Sequence, residues 1–447
     1  MNDVVQNIIH FFVTFLFSLL FLMGAATILV YLERKVMAWM QDRYGPLHVG
    51  PHGALQTVMD VAKLLLKEDL KVSSADNPVY KFAPMVFFAP VITAFVVIPF
   101  SPYMTAGALS TGLIYYVALS SIDVIGVFMA GWGSNNKYAL IGGLRSTAQM
   151  ISYELPLILS LVGVIMLTSV LAPGCTGPNP DLNTCGVGSI SFTQIVAAQM
   201  RPESPWLWFV LLQPLGLVVY YICGLAETNR SPFDLPEAES ELVAGYLTEY
   251  SGLRWAMFFL GEYGNMTIVS AVATAIFLGG WSFPGAAIGF WTDHLGSFGG
   301  QLVFNIICVA VFLAKMFALL LVFIWVRSTL PRLRADQLMR FAWLYLIPLT
   351  LVNILVTGAL LLFIPPNTLV QGDVLRIAVS AVVNWGMLVF VILSFRRLAG
   401  LTSKGKLPRW VRPAKGPVTV VTPAAQSQTP PTAQTPELAA GAGAARK

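Results

Sequence analysis

The chain has 447 residues, of which 56% are hydrophobic and 11% charged, with a mean hydropathy of +0.71 and a formal net charge of +5. So few charges exclude an ordinary water-soluble domain of this length. Apolar runs near about twenty residues point instead to an all-α polytopic membrane protein, and the basic balance then describes an orientation in a bilayer rather than nucleic-acid binding.

The first run, at about residues 8–31, is too long for the core of a secretory signal and no small-residue cleavage site follows it, so it reads as a retained helix. Glu33, Arg34 and Lys35 close it. Charges at that place read as a topology signal, with Arg34 free to meet acidic residues elsewhere on the same side. The long segment 32–83 then carries an amphipathic stretch. Leu55, Met59, Ala62 and Leu66 share one helical face, while Asp60, Lys63 and Lys67 line another. The plainer reading is a helix lying on the membrane surface; the sharper one lets its polar face line a cavity.

Spans follow at about 84–104, 110–132 and 148–171. Asp123 falls inside the second of these, roughly 14 Å from the inside end at the helical rise. Glu154 falls roughly two turns into the third. A segment with Asn135, Asn136, Lys137 and Arg145 separates the two spans. The loop 172–205 holds Cys175 and Cys185, a candidate disulfide in an oxidising compartment. Cys223 and Cys308 fall in spans, and no cysteine or histidine spacing of a metal site exists, so no metal is expected.

A span at about 206–226 leads into the most unusual stretch. Glu227, Asp234, Glu237, Glu239, Glu241 and Glu249 are six of the 22 acids of the chain, with Arg230 as their sole local counter-charge. Asp234, Pro236 and Glu237 have the spacing of a helix start. Capping accounts for two of these acids and not for the rest. Glu237 and Glu241 would lie on one helical face, and the acids alternate with Phe233, Leu235, Leu242, Val243 and Tyr246. Crowded, partly buried carboxylates raise one another's pKa and share protons, which suits a proton relay.

The remaining spans are expected at about 262–283, opened by Glu262, 302–326, with Lys315 in its middle, 341–364 and 374–396. Ionisable groups at membrane depth cost several kcal/mol unless they face protein or water, so each is a functional candidate. For Lys315 and Asp123 the alternative is a structural pair within the bundle, such as Lys315 with a carboxylate. After residue 398 the chain turns basic over 404–415 and then rich in Pro, Ala, Gln and Thr, which predicts a membrane domain over 1–398 and a disordered tail over 399–447. With about nine spans and the N-terminus outside, 23 of the 27 Lys and Arg fall on inside segments. Only Arg201 falls outside, and Lys315, Arg376 and Arg396 fall within spans, the last two at the outside and inside ends of the final one. That bias supports an N-out, C-in topology. No inverted repeat of the kind seen in many secondary transporters is evident.

The segment from Glu227 to Gly252 closely resembles the signature of one membrane-subunit family of proton-pumping NADH:quinone oxidoreductase, respiratory complex I. It is the family of the H-type, heel subunits that help to form the quinone chamber. Three other stretches match the same family in order. They are Arg43-Tyr-Gly-Pro46 through Leu66-Lys-Glu-Asp69, Gly131-Trp-Gly-Ser-Asn-Asn-Lys-Tyr138 with Arg145 through Glu154, and Ile324-Trp-Val-Arg-Ser-Thr-Leu-Pro-Arg-Leu-Arg-Ala-Asp336. The Cys175–Cys185 loop and the tail fall outside the family pattern, His48 and His52 stand within a matching motif where other residue types are expected, and Asp123 is not placed on the pattern.

The resemblance implies that the chain joins the redox arm to the membrane arm, and the basic, Pro/Ala-rich tail favours a bacterial plasma (inner) membrane over a mitochondrial one. It implies partners: a hydrogenase-like subunit, the subunit with the terminal Fe–S cluster, and neighbouring membrane-arm subunits. Quinone, either ubiquinone or menaquinone, would bind at the interface. No cofactor would be bound by this chain alone, and FMN and Fe–S clusters would belong to partner subunits. Carried over by motif, Arg34, Asp60, Lys63, Glu227, Arg230, Phe233 and Asp234 would border the quinone cavity. Glu154, Glu227, Glu237, Glu239, Glu241, Glu249, Glu262 and Lys315 would form the charged path into the membrane. The rival expectations are the paralogous subunit of an ion-translocating membrane-bound hydrogenase, a stand-alone transporter and a purely structural anchor.

Overall fold

The computed structural model describes residues 2–70, 72–102, 109–171, 189–199, 208–235, 244–283, 297–363 and 371–403. Two compact units divide the chain, Met1–Phe390 and Val391–Lys447. Of the second, the described residues are the end of the last helix. All regular structure among the described residues is helical, as the composition requires of a chain whose backbone amides must be satisfied without water.

The helices are α1 (Asn2–Met40), α2 (Gln56–Leu66), α3 (Asn77–Phe95), α4 (Gly112–Gly133), α5 (Lys137–Leu171), α6 (Phe192–Gln199), α7 (Phe209–Leu212) and α8 (Pro214–Glu227). After a 3-10 turn at Gly245–Leu247 come α9 (Gly252–Phe277), α10 (Ser297–Thr329), α11 (Ala335–Phe341), α12 (Ile347–Phe363) and α13 (Gln371–Ser403). A π-helical segment, Ala342–Leu346, joins α11 to α12.

Among the described residues, six stretches are long and apolar enough to cross a membrane: Phe15–Met40, Asn77–Phe95, Gly112–Gly133, Lys137–Ser169, Gly300–Thr329 and Ala335–Leu362. Shorter apolar helices cover Pro214–Glu227 and Ala378–Ser394. The chain is therefore a multi-pass membrane protein. The departures from the nine expected spans have physical reasons. The 206–226 span is interrupted at Gln213, whose φ of −134° and ψ of 54° leave the helical region. Pro214 follows it, and proline both lacks an N–H and disfavours helix in the residue before it. The 262–283 span begins ten residues earlier than expected, at Gly252, so Glu262 lies inside α9 rather than opening it. Glu154 likewise lies 17 residues into α5, in its middle, because that helix starts at Lys137. Arg254, Glu262, Lys137 and Arg145 lower local hydropathy and hide these starts.

α9 is the centre of the bundle. Every residue from Gly261 to Phe277 is buried, and Glu262, Asn265, Thr267, Ser270 and Thr274 are buried alongside the apolar positions. A helix enclosed by protein on all sides does not need the apolarity that lipid demands. α1, α2, α3, α6, α8 and α10 pack against this helix, and α4 reaches it through Asp123 and Asn265. Glycine allows two of the closest approaches. A Cβ on Gly126 of α4 would meet the Phe87 backbone of α3 at 2.7 Å, and one on Gly142 of α5 would meet the Gly245 Cα at 2.6 Å.

Candidate functional site

The most heavily charged buried cluster gathers where α1, α8, α9 and α10 approach. Glu33, near the end of α1, is buried and pairs with Arg327 of α10. Tyr263 of α9 donates its hydroxyl to Glu33 Oε2 at 2.7 Å. Arg230, just after α8, places Nη1 3.9 Å from Glu33 Oε1 and Nη2 3.9 Å from Glu262 Oε2. Its guanidinium lies over the Tyr263 ring, 4.2 Å from the centroid. Tyr246 donates to Glu262 Oε1 at 3.0 Å. Two carboxylates and two guanidiniums thus balance in a protein interior, where an unpaired charge would be strongly destabilising.

The turn that delivers Arg230 is built locally. Asn229 adopts a left-handed φ of 49°, which asparagine tolerates better than most residues, and the Ser231–Pro232 peptide is cis. Gln149 of α5 clasps the turn, donating to the carbonyls of Ala226 at 2.7 Å and Phe233 at 2.6 Å. Pro232 O accepts from Leu333 N at 3.1 Å. Phe233 packs in the core against Tyr153, with ring centroids 5.5 Å apart. Asp234 lies 3.9 Å from Arg332.

A second acidic group lies between α3, α4, α8 and α9. Asp123, Glu227 and Asn265 line one small cavity with Tyr116 and Ser120. Glu154 accepts a hydrogen bond from Ser121 and lies within electrostatic reach of Glu227. Glu249 is bound by Asn136 Nδ2 at 2.6 Å, and its carbonyl accepts from the Tyr80 hydroxyl at 2.7 Å. Tyr80 stacks on Tyr250 at 4.4 Å. Burial, reinforced by Tyr80, pushes the Tyr250 phenol up, so it stays neutral at all ordinary pH.

At the start of the chain, Arg34 Nη1 reaches Asp60 Oδ2 of α2 at 2.5 Å, and Gln56 Nε2 supports Asp60 at 3.3 Å. Both members of this pair are partly solvated, and Lys63 on the same helix is exposed. The predicted amphipathic helix is present, with Leu55, Met59 and Leu66 turned outward. Glu237, Glu239, Glu241, Cys175, Cys185 and the tail from 404 lie outside the described residues, as does the helix start expected at Pro236.

Lys315 is held by carbonyls rather than by the carboxylate that a structural ion pair would supply. Its ammonium donates to the carbonyls of Leu278 at 2.7 Å, Gly280 at 3.0 Å and Ser282 at 2.6 Å, and lies 4.3 Å from the Trp208 ring centroid. These carbonyls follow the far end of α9. Leu278 is 16 residues beyond Glu262, about 24 Å along a helix. The structure therefore brings Glu262, Arg230 and Glu227 to the middle of α9, with Glu154 in electrostatic reach of Glu227, and sets Lys315 beyond the C-terminal end of that helix.

Sequence reasoning reads Glu33 as a boundary charge, meets Arg327 and Tyr246 only within longer stretches, and passes over Tyr263 and Asn265. Their signal is present: Glu33 is an acid inside an otherwise basic span boundary, and Asn265 is an amide three residues after a membrane-depth acid. Among the described residues no group of three His, Cys, Asp or Glu side chains is arranged to hold a metal ion.

The model of the NADH dehydrogenase family matches residues 13–358 of this chain. The chain is 42% identical over 393 residues to a protein of Dehalococcoides mccartyi named as the H subunit of NADH-quinone oxidoreductase, covering 88% of this chain and 97% of that protein. It is similar to proteins of the same name from Anoxybacillus flavithermus, 45% identical over 79% of this chain and 94% of the relative, and from Brevibacillus brevis, 46% identical over 75% and 88%.

Proposed function

The chain belongs to the NADH dehydrogenase family, and on that premise we propose that it is a membrane subunit of a proton-translocating NADH:quinone oxidoreductase. In this reading it forms part of the quinone chamber and couples quinone reduction to proton movement through its carboxylates. Electrons arrive from an Fe–S cluster in a partner subunit of the peripheral arm, with FMN further back in that arm. The chain sits N-out and C-in in a bacterial plasma membrane, beside other membrane-arm subunits.

The observation that supports the reading most is Arg230. It lies between Glu33 and Glu262, 3.9 Å from each, directly after the helix that ends in Glu227. Reduction of a quinone to a quinol takes two electrons and two protons. The accompanying charge change acts in a medium where Coulomb energies are several-fold larger than in water. A guanidinium shared by two carboxylates responds by shifting toward one of them, which changes the proton affinity of the other. Glu227, Glu154 and Glu249, with Glu237, Glu239 and Glu241 in the intervening segment, extend that response. Adjacent subunits then feel it as a shift between existing conformations. Arg34, Asp60 and Lys63, on α1 and the outward-facing α2, border the way in for the apolar quinone tail.

The test is an assembled complex carrying Glu262→Gln, assayed for NADH:quinone turnover and for NADH oxidation by ferricyanide. Quinone turnover is expected to fall by about 10²-fold, in the range for losing one proton-transfer group, while the ferricyanide rate stays at the wild-type value. Equal and normal rates in both assays would contradict the proposal.

A further inference from the structure

Asp123 stands outside the acidic segment, yet it is among the most enclosed acids of the described residues, 3% exposed in the middle of α4. Its two oxygens differ. Oδ2 accepts from Asn265 Nδ2 at 2.8 Å. Oδ1 is buried and has no protein partner among the described residues. Glu227, 7% exposed, has the same asymmetry: the Ser120 hydroxyl lies within reach of its carboxylate, and its Oε2 is buried without a protein partner among the described residues.

Both side chains line one cavity, walled by Pro90, Ala94 and Tyr116 and large enough for about one water molecule. The wall offers little else to satisfy them. The Tyr116 hydroxyl is engaged with that of Tyr220 at 3.3 Å, and Ser120 Oγ donates to Val117 O at 2.9 Å. A buried carboxylate oxygen without a donor is costly. Two such oxygens on one small cavity are satisfied together by a single molecule with two O–H donors, or by a proton between them. An aspartate kept only to anchor α4 to α9 would gain nothing from an oxygen turned away from Asn265.

We propose that Asp123 and Glu227 hold one water between them and share one proton, so that Asp123 is a further proton-carrying residue leading from the end of α8 to the centre of the bundle. This rests on the reading of Glu227 as a proton carrier. The transfer is balanced. The O–H bond of the protonated carboxyl breaks as a bond to the water oxygen forms, and one O–H of that water passes its proton to the other carboxylate. The pair keeps one proton and one negative charge throughout. Coupled carboxylates of this kind titrate as a unit.

The experiment compares wild-type complex with Asp123→Asn, Glu227→Gln and Ala94→Val in native membranes. Proton translocation is measured per assembled complex, together with the infrared difference spectrum on reduction in the carboxylic-acid C=O region. Ala94→Val keeps both acids and puts added methyl bulk into the cavity. All three variants are expected to slow translocation about tenfold, the effect of one pKa unit of coupling, and to lose the same protonated-carboxyl band, with NADH:ferricyanide activity unchanged. If Asp123→Asn fails to assemble, Ala94→Val decides. Wild-type rates and an unchanged band in Asp123→Asn or Ala94→Val, beside an impaired Glu227→Gln, overturn this inference alone. A normal Glu227→Gln overturns the reading of Glu227 beneath it.

Discussion

The middle of α9 and its C-terminal end solve the same problem with different chemistry. Around Glu262, buried charge is met by opposite charge and by phenols, through Arg230, Glu33, Arg327, Tyr246 and Tyr263. Near Leu278, the buried charge of Lys315 is met by three carbonyls and an indole face. The break between α7 and α8 is satisfied by neutral amides: Gln213 donates to Thr357 Oγ1 at 2.6 Å and accepts from Asn353 at 2.8 Å, and Asn384 donates to Leu212 O at 2.7 Å. Carbonyls and amides do not take up protons near neutral pH, whereas carboxylates do. The partners around Glu262 can therefore change charge, whereas those around Lys315 keep theirs.

The largest way to break this contrast is Arg230→Met. It strands Glu33 and Glu262 in the interior with one fewer positive partner, which costs about 3–5 kcal/mol for a buried pair. The expected result is loss of assembled complex from the membrane, read by native gel electrophoresis. Lys315→Met is expected to be milder, at about 1–3 kcal/mol for carbonyls left without their donor. It lowers the thermal midpoint of the complex while leaving turnover per assembled complex near wild type. Gln213→Leu, which removes one buried amide from the α7–α8 break, is smaller again, at about 1–2 kcal/mol for an interhelical hydrogen bond in a membrane. It too should appear in thermal stability and not in turnover.

The elements are more legible in the sequence than their meetings. Apolar run length locates the helices because lipid imposes it. Pro214 marks the break inside the fifth expected span, a signal that hydropathy averaging smooths over. The same averaging puts the start of α9 at Glu262 instead of Gly252. Non-local partners are beyond its reach: Glu33 meets Arg327 across 294 positions and Asp123 meets Asn265 across 142. No local pattern encodes such pairs, so Glu33 looks like a boundary charge. Lys315 is recognisable as an intramembrane cation, but its carbonyl cradle depends on the positive φ of Gly279 and Gly280, at 71° and 55°. Composition alone does not reveal where three carbonyls will point.

The most direct measurement places Glu227→Gln and Lys315→Met side by side in sealed vesicles, following NADH-driven acidification normalised to complex content. Glu227→Gln is expected to abolish most of the proton gradient while Lys315→Met retains it. A gradient preserved in Glu227→Gln, or lost per complex in Lys315→Met, would contradict the division between proton-active groups at the middle of α9 and fixed partners at its C-terminal end.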